Sequence, residues 1–143
     1  MLLDTDVFSR VFVGPRQHQQ AQQWSSLLSG RTIVIAVRTS VELLAWPRIR
    51  GWGTTRTAQL VTRVASVQTV PVTQEVQAAF VDLRVWGRQN AHAIHAKVHT
   101  ADRWVAATGV AYGLEPDIVG QRISRCDADR LVVRRCRPGR LRC

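Results

Sequence analysis

The amino-acid sequence predicts a three-layer α/β fold with a mostly parallel central sheet. Three short runs of apolar and β-branched residues, at positions 2–5, 32–36 and 67–72, have the length and composition of buried strands. Each run is followed by at least one segment whose apolar residues recur at helical spacing. Strands that alternate with helices are typical of a parallel sheet covered by helices on both faces.

Turn-forming residues mark the ends of the predicted helices. Gly14-Pro15, Ser29-Gly30, Pro47 and Gly113 are each expected to end a helix. The helices are predicted at 7–13, 17–28, 38–46, 54–66, 73–89 and 100–112, and further short strands at 118–119 and 131–133.

Composition indicates one domain, and its positive charge has two explanations: a polyanionic partner, or a nucleotide composition that favours arginine codons. The chain has 143 residues and a formal net charge of +10, and 19 of its 20 basic residues are arginine. Residues 121–143 hold eight of those arginines and all three cysteines. No apolar run reaches the ~20 residues that a membrane span needs, and acids stand where a signal peptide has basic residues. We therefore expect a soluble, cytoplasmic protein with no membrane association.

Two acids follow the first predicted strand. Asp4 comes directly after Leu2 and Leu3, so its carboxylate is expected at the carboxyl edge of the sheet, where open α/β sheets bind ligands. A carboxylate at the end of a buried strand needs an ionic partner or a metal. Asp6 precedes a helical pattern and is expected mainly as a helix N-cap or supporting residue.

Two later acids lie in apolar surroundings. Glu42 interrupts the apolar run 41–46; it is either buried with a partner, or exposed and paired with Arg38 four residues earlier. Asp102 lies in the first turn of an apolar helix, where the helix dipole alone favours an acid. If Asp4, Glu42 and Asp102 meet at the sheet edge, Mg²⁺ or Mn²⁺ would relieve their repulsion, because these cations take oxygen ligands.

Three segments in this order resemble the PIN-domain ribonucleases, specifically the VapC toxins of bacterial toxin–antitoxin pairs. They are Leu-Leu-Asp4-Thr-Asp-Val, Thr-Ser-Val-Glu42-Leu-Leu and Ala-Asp102-Arg-Trp-Val-Ala-Ala-Thr, the last similar to the family's D-x-W-I-A-A-T segment. The resemblance implies that Asp4, Glu42 and Asp102 bind Mg²⁺ or Mn²⁺ and are catalytic. It also implies a homodimer that cleaves RNA and is blocked by a cognate antitoxin protein. Thr5, Asp6 and Ser40 would support the acids.

Basic residues near the third acid are candidates for RNA contacts. Lys97 and Arg103 flank Asp102 in the sequence, and we expect them to contact RNA phosphates.

The resemblance covers residues 1–119 and fails beyond them. The family has a fourth acid after the third, but here Gly120-Gln121-Arg122 occupies that stretch. Asp117 precedes the position at which the family has its fourth acid, and Asp127 and Asp129 follow that position by several residues. The chain therefore divides into a PIN-like domain at 1–119 and an Arg/Cys-rich segment at 120–143. We hypothesise that this tail is read in a shifted frame, or else completes the domain.

Three other interpretations remain open. Asp4-Thr5-Asp6 also resembles the D-x-D start of haloacid-dehalogenase-like phosphatases, although a downstream acidic pair is absent. His92, His95 and His99 would share one helix face and could bind Zn²⁺. Trp52, between two glycines and near several arginines, could stack on an RNA base or pack beneath its loop.

The function expected from these observations is metal-dependent cleavage of RNA phosphodiester bonds. The missing fourth acid keeps open an alternative, a catalytically impaired relative that binds its antitoxin or RNA without cutting. The first predicts cleavage that depends on Asp4, and the second predicts salt-sensitive binding alone.

Overall fold

The computed structural model of the chain describes residues 1–13 and 28–114, which form a mixed α/β structure around a small parallel sheet. Residue pairs such as Leu3 with Ile35, and Ile35 with Thr69, set its parallel register. Its strands lie in the order β1-β2-β3, where β1 is Leu2–Leu3, β2 is Val34–Ala36 and β3 is Gln68–Val70. The predicted α/β class with a parallel sheet is confirmed for these strands. The strands predicted at 118–119 and 131–133 and most of the helix at 17–28 lie outside the described residues.

Five α-helices surround the sheet in the described part of the chain. None of them is long and apolar enough to cross a membrane. They are α1 (Thr5–Phe8), which continues as a π-helical turn (Ser9–Val13), α2 (Val37–Ile49), α3 (Thr54–Ala65), α4 (Gln74–Gln89) and α5 (Thr100–Tyr112). Two short 3₁₀ turns, Ala93–His95 and Lys97–His99, join α4 to α5.

Helices pack against both faces of the sheet because neighbouring strand residues point to opposite sides. Leu3 and Ile35 face one way and are fully buried with residues of α1, α2 and α3. Leu2 and Val34 face the other way and pack with Val105 of α5. The first face is completed by Val7, Phe8, Leu28, Leu43, Leu60 and Val64, and the second by Ala36 and Val70.

The helices α4 and α5 form a separate layer with its own apolar cluster. Phe80 of α4 stacks on Trp104 of α5, with ring centres 4.2 Å apart. Thr73 caps the start of α4, since its hydroxyl oxygen accepts a hydrogen bond from the Val76 amide. The buried members of this cluster are Val76, Ala79, Leu83, Ile94, Ala106 and Ala107.

Two helix boundaries differ from the sequence-based prediction. The first helix begins at Thr5 and not at position 7, because Asp4, rather than Asp6, accepts the hydrogen bond from the Val7 amide and caps it. Pro47 does not end α2. It lies buried in the last turn of the helix, which continues to Ile49, and its carbonyl oxygen accepts a hydrogen bond from the Trp52 amide.

Candidate functional site

The candidate site begins at Asp4, the single residue between β1 and α1. Its backbone is extended as in a strand, while one carboxylate oxygen, Oδ1, accepts a hydrogen bond from the Val7 amide at 2.8 Å. An aspartate in this position satisfies one of the orphan amides at the start of a helix. Asp4 is half-buried, and it lies at the carboxyl end of a strand whose other residues are fully buried.

Thr5 connects the end of β1 to the helix after β2. Its hydroxyl donates a hydrogen bond to Oε2 of Glu42, 3.1 Å away, although the two residues are 37 positions apart in the sequence. Glu42 is half-buried in the second turn of α2, which follows β2 without an intervening loop. The contact therefore links the carboxyl ends of two neighbouring parallel strands, and it brings Glu42 beside the residue that follows Asp4.

The other predicted supporting residues make no such contact. Asp6 is exposed in the first turn of α1, and its side chain forms no hydrogen bond with a described residue. Ser40 is half-buried on α2, and its hydroxyl likewise has no described partner. The neighbouring Thr39 is fully buried, and its hydroxyl has no hydrogen-bond partner among the described residues.

Asp102 pairs with a histidine rather than with the other two acids. Its Oδ2 lies 3.1 Å from Nδ1 of His99, one turn earlier, and its side chain is 45% exposed. The sequence indicates His99 only as part of a possible zinc-binding face, and this pair is not predicted from it. The spacing of three residues across a helix start was the signal that could have revealed it.

A metal site is not assembled in the part of the chain that the structure describes. Over residues 1–13 and 28–114, no three His, Cys, Asp or Glu side chains form a group that could hold a metal ion. Carboxylates suit Mg²⁺ or Mn²⁺ chemically, and Asp4 and Glu42 lie at one edge of the sheet, but Asp102 does not form a group with them in these two ranges. Asp117, Asp127 and Asp129, the candidates for a fourth acid, lie outside the described residues.

Arg103 does not have the role expected from the sequence. Its side chain is 2% exposed, and Nε and a terminal nitrogen donate hydrogen bonds to the carbonyl oxygens of Ile94 (2.7 Å) and Ala96 (2.9 Å). Burial lowers the pKa of Arg103, and the charge of Arg84 lowers it further. A guanidinium held in this way is unavailable to an RNA phosphate, so that prediction is corrected. Lys97 is exposed.

The three histidines do not share the helical face that a zinc site would need. They lie in and around two short 3₁₀ turns. Nδ1 of His92 accepts a hydrogen bond from the Ile94 amide, and Nδ1 of His95 lies 2.6 Å from the carbonyl oxygen of His92. His99 contacts Asp102 instead.

A second group of polar and aromatic side chains lies at the far end of α2 and the start of α3. Arg50 lies over the ring of Trp46, and Arg56 lies over the ring of Trp52. The sequence pointed to Trp52 and its neighbouring arginines but left open whether the ring stacks on a base or packs beneath its loop. Trp52 is half-buried and contacts the apolar cluster of α1, α2 and α3, so packing accounts for one side of its ring.

Comparisons of this chain with models of protein families, with curated proteins and with solved structures find no match.

Proposed function

We propose that the protein is a metal-dependent endoribonuclease of the PIN-domain, VapC-like type. The observation that carries the proposal is the hydrogen bond from Thr5 to Glu42, because it joins the carboxyl ends of two adjacent parallel strands. Ligands of open α/β sheets bind at that edge. Asp4 and Glu42 are both half-buried there, accessible to solvent yet anchored by hydrogen bonds.

Each acid has a defined part in the proposal. Asp4 and Glu42 supply carboxylate oxygens from neighbouring elements, and Thr5 holds Glu42 in place. Asp102 is the third acid. It is tested separately, because within residues 1–13 and 28–114 it is not grouped with the other two. Mg²⁺ or Mn²⁺, the proposed cofactor, would contribute stabilisation of negative charge on the phosphate.

The first prediction concerns Asp4. Asparagine caps helices as well as aspartate does, so Asp4→Asn preserves the hydrogen bond to the Val7 amide while removing the charge. We expect RNA cleavage in Mg²⁺ or Mn²⁺ to fall at least about 100-fold, since metal binding needs an ionised carboxylate. Cleavage of single-stranded and structured RNA is measured with each metal and with EDTA.

Glu42→Gln and Asp102→Asn complete the series, and Asp82→Asn is the matched control. Asp82 is an exposed acid within α4 and has no part in the proposed site. Cleavage that persists in EDTA, or that Asp4→Asn leaves intact, would overturn the proposal. Cleavage lost in Asp4→Asn and Glu42→Gln but kept in Asp102→Asn would restrict the site to the edge of β1 and β2.

The second prediction tests the hydrogen bond that carries the proposal. Thr5→Val keeps the shape of the side chain but removes the hydroxyl that donates to Glu42, whereas Thr5→Ser keeps the donor. Groups that orient a metal-binding carboxylate are worth about 10–100-fold in metal affinity or activity. We expect Thr5→Val to lower the metal-dependent cleavage rate by that factor and Thr5→Ser to retain most of it. Equal rates in the two variants would show that the hydroxyl does not serve the site.

The second candidate function is a catalytically impaired relative that binds RNA or an antitoxin without cutting. The pairing of Asp102 with His99 favours it, because that carboxylate already has a partner. It predicts RNA binding with no cleavage in any metal tested.

The proposed nuclease also has protein partners. A cognate antitoxin would cover the carboxyl edge of the sheet, and two copies of the chain would associate. Light scattering of the purified protein measures whether two copies of the chain associate.

A further inference from the structure

Four side chains at the junction of α2 and α3 form what we term the Arg–Trp cluster: Trp46, Arg50, Trp52 and Arg56. The guanidinium carbon of Arg50 lies 4.1 Å from the ring centre of Trp46 and 6.0 Å from that of Trp52. That of Arg56 lies 3.8 Å from the ring centre of Trp52. The two indoles meet edge to face, with centres 6.5 Å apart. These are the distances of cation–π contacts, so the cluster is a continuous array of alternating cations and rings.

The backbone holds this array in place. Gly51 adopts a left-handed conformation, with φ of 60°, which lets the chain reverse direction between the two helices. The Trp52 amide donates a hydrogen bond to the Pro47 carbonyl oxygen at 2.9 Å, which closes the loop. Both indoles are half-buried and pack against the apolar cluster of α1, α2 and α3. The rings are therefore anchored on their inner side, and the guanidinium groups lie on an exposed surface.

The charge around the cluster is unbalanced. The 32 residues between Glu42 and Glu75 contain four arginines and no acid. Arg50 and Arg56 are exposed, and neither side chain forms an ion pair or hydrogen bond with any residue that the structure describes. A guanidinium over an aromatic ring keeps its N–H donors for a second partner, and their fork matches the oxygens of a phosphate.

We propose that the Arg–Trp cluster binds the backbone of single-stranded RNA. Arg50 and Arg56 would contact successive phosphates through their N–H edges. The outer faces of their guanidinium planes would accept unstacked bases, which a duplex does not offer. The choice of RNA rests on the proposed function. Glu42 and Trp46 of α2 and Arg50 at its C-cap follow one another at intervals of four residues, so Arg50 lies about 12 Å along the helix axis from Glu42. A strand bound there would extend toward the carboxyl edge.

Binding of a short labelled single-stranded RNA tests this inference. Fluorescence anisotropy in EDTA, across a series of salt concentrations, measures binding without cleavage. Removing two phosphate contacts from a single strand lowers the slope of log K against log salt by about 1.4. We expect Arg50→Ala/Arg56→Ala to lower the slope by that amount and to weaken binding about 10-fold or more at 0.1 M salt.

The charge-matched control is Arg84→Ala/Arg88→Ala, which removes two exposed arginines from α4. We expect it to leave affinity and slope near the wild-type values. Arg50→Lys/Arg56→Lys keeps the charge but loses the planar fork and should bind with intermediate affinity. The proposal is overturned if the Arg50/Arg56 double alanine variant binds as wild type does, if the control loses as much, or if duplex RNA or an acidic peptide binds more tightly than the single strand.

The two proposals fail in distinguishable ways. If RNA binding depends on Arg50 and Arg56 but no metal-dependent cleavage occurs, the nuclease proposal is contradicted and the proposal for the Arg–Trp cluster stands. If cleavage depends on Asp4 but RNA binding does not depend on Arg50 and Arg56, the proposal for the Arg–Trp cluster is contradicted and the nuclease proposal stands.

Discussion

Arg103 and Arg50 both lie over aromatic rings, but they have opposite relations to solvent. Arg103 lies over Phe80 between α4 and α5, with its guanidinium carbon 4.9 Å from the ring centre, and is almost completely buried. Arg50 lies over Trp46 at the end of α2, at 4.1 Å, and is exposed. The cation–π contact is common to both places, so it does not decide what each arginine does.

The difference lies in where the N–H groups are directed. Those of Arg103 donate to the carbonyl oxygens of Ile94 and Ala96 and hold the connection between α4 and α5. Burial of a charge is tolerated only when such hydrogen bonds compensate it, and here it lowers the pKa of the guanidinium. The side chain of Arg50 has no described hydrogen-bond partner, so its donors remain for a ligand. One arginine stabilises the fold and the other offers a surface.

The largest expected effect comes from Arg103. Arg103→Ala leaves two carbonyl oxygens without their donors and opens a cavity beside Phe80, so we expect the free energy of unfolding to fall by about 3 kcal/mol. Arg103→Lys keeps a charge but not the fork and should cost about 1–2 kcal/mol. Urea unfolding followed by circular dichroism measures both.

Arg50→Ala is the matched variant on the exposed side of this comparison. Its side chain has no described hydrogen bond, so the change should cost no more than about 1 kcal/mol, the value of an exposed cation–π contact. A loss as large as that of Arg103→Ala would show that Arg50 is a structural residue, and the contrast between the two arginines would not hold.

A pair of glycines sharpens the same contrast with a smaller effect. A Cβ atom on Gly87 of α4 would lie 2.8 Å from Cγ2 of Ile94 and 3.1 Å from the His95 amide nitrogen, whereas one on Gly53 would meet nothing within 4 Å. We expect Gly87→Ala to destabilise by about 1–2 kcal/mol, because overpacking outweighs the gain in helix propensity. Gly53→Ser, at the start of α3, should be neutral or stabilise by a few tenths of a kcal/mol. Thermal unfolding of both variants measures the difference, and equal shifts would contradict the close packing around Gly87.

The sequence predicted best those elements that are marked by local chemistry. Helix α5 runs from Thr100 to Tyr112 as expected, and Gly113 ends it in a left-handed conformation with φ of 61°. Patterns of apolar residues also indicated the three strands, although each is shorter than predicted. Pro47 was wrongly expected to end its helix. It removes one N–H donor from the helix, but the chain stays helical to Ile49, and the Arg50 and Trp52 amides bond to the carbonyl oxygens of Trp46 and Pro47.

The candidate site was harder to predict, because its geometry depends on contacts between distant parts of the chain. Nothing near Asp102 in the sequence distinguishes an exposed Arg103 from one buried over Phe80. Similarly, both Asp4 and Asp6 are suitable caps, and only the position at which the strand ends decides between them. The hydrogen bond between Thr5 and Glu42 spans 37 positions and has no local signature.

The bonds of Arg103 also bear on how the chain folds. The hydrogen bond to Ile94 closes a loop of 9 residues, whereas the pairing of β1 with β2 brings together Met1 and Thr32, which are 31 positions apart. Loop-closure entropy opposes the longer connection more strongly, and local contacts form faster than distant ones. We therefore expect the α4–α5 pair to assemble around its own apolar cluster before the sheet forms. The layer that carries Asp102 would then be the surface against which Leu2 and Val34 pack.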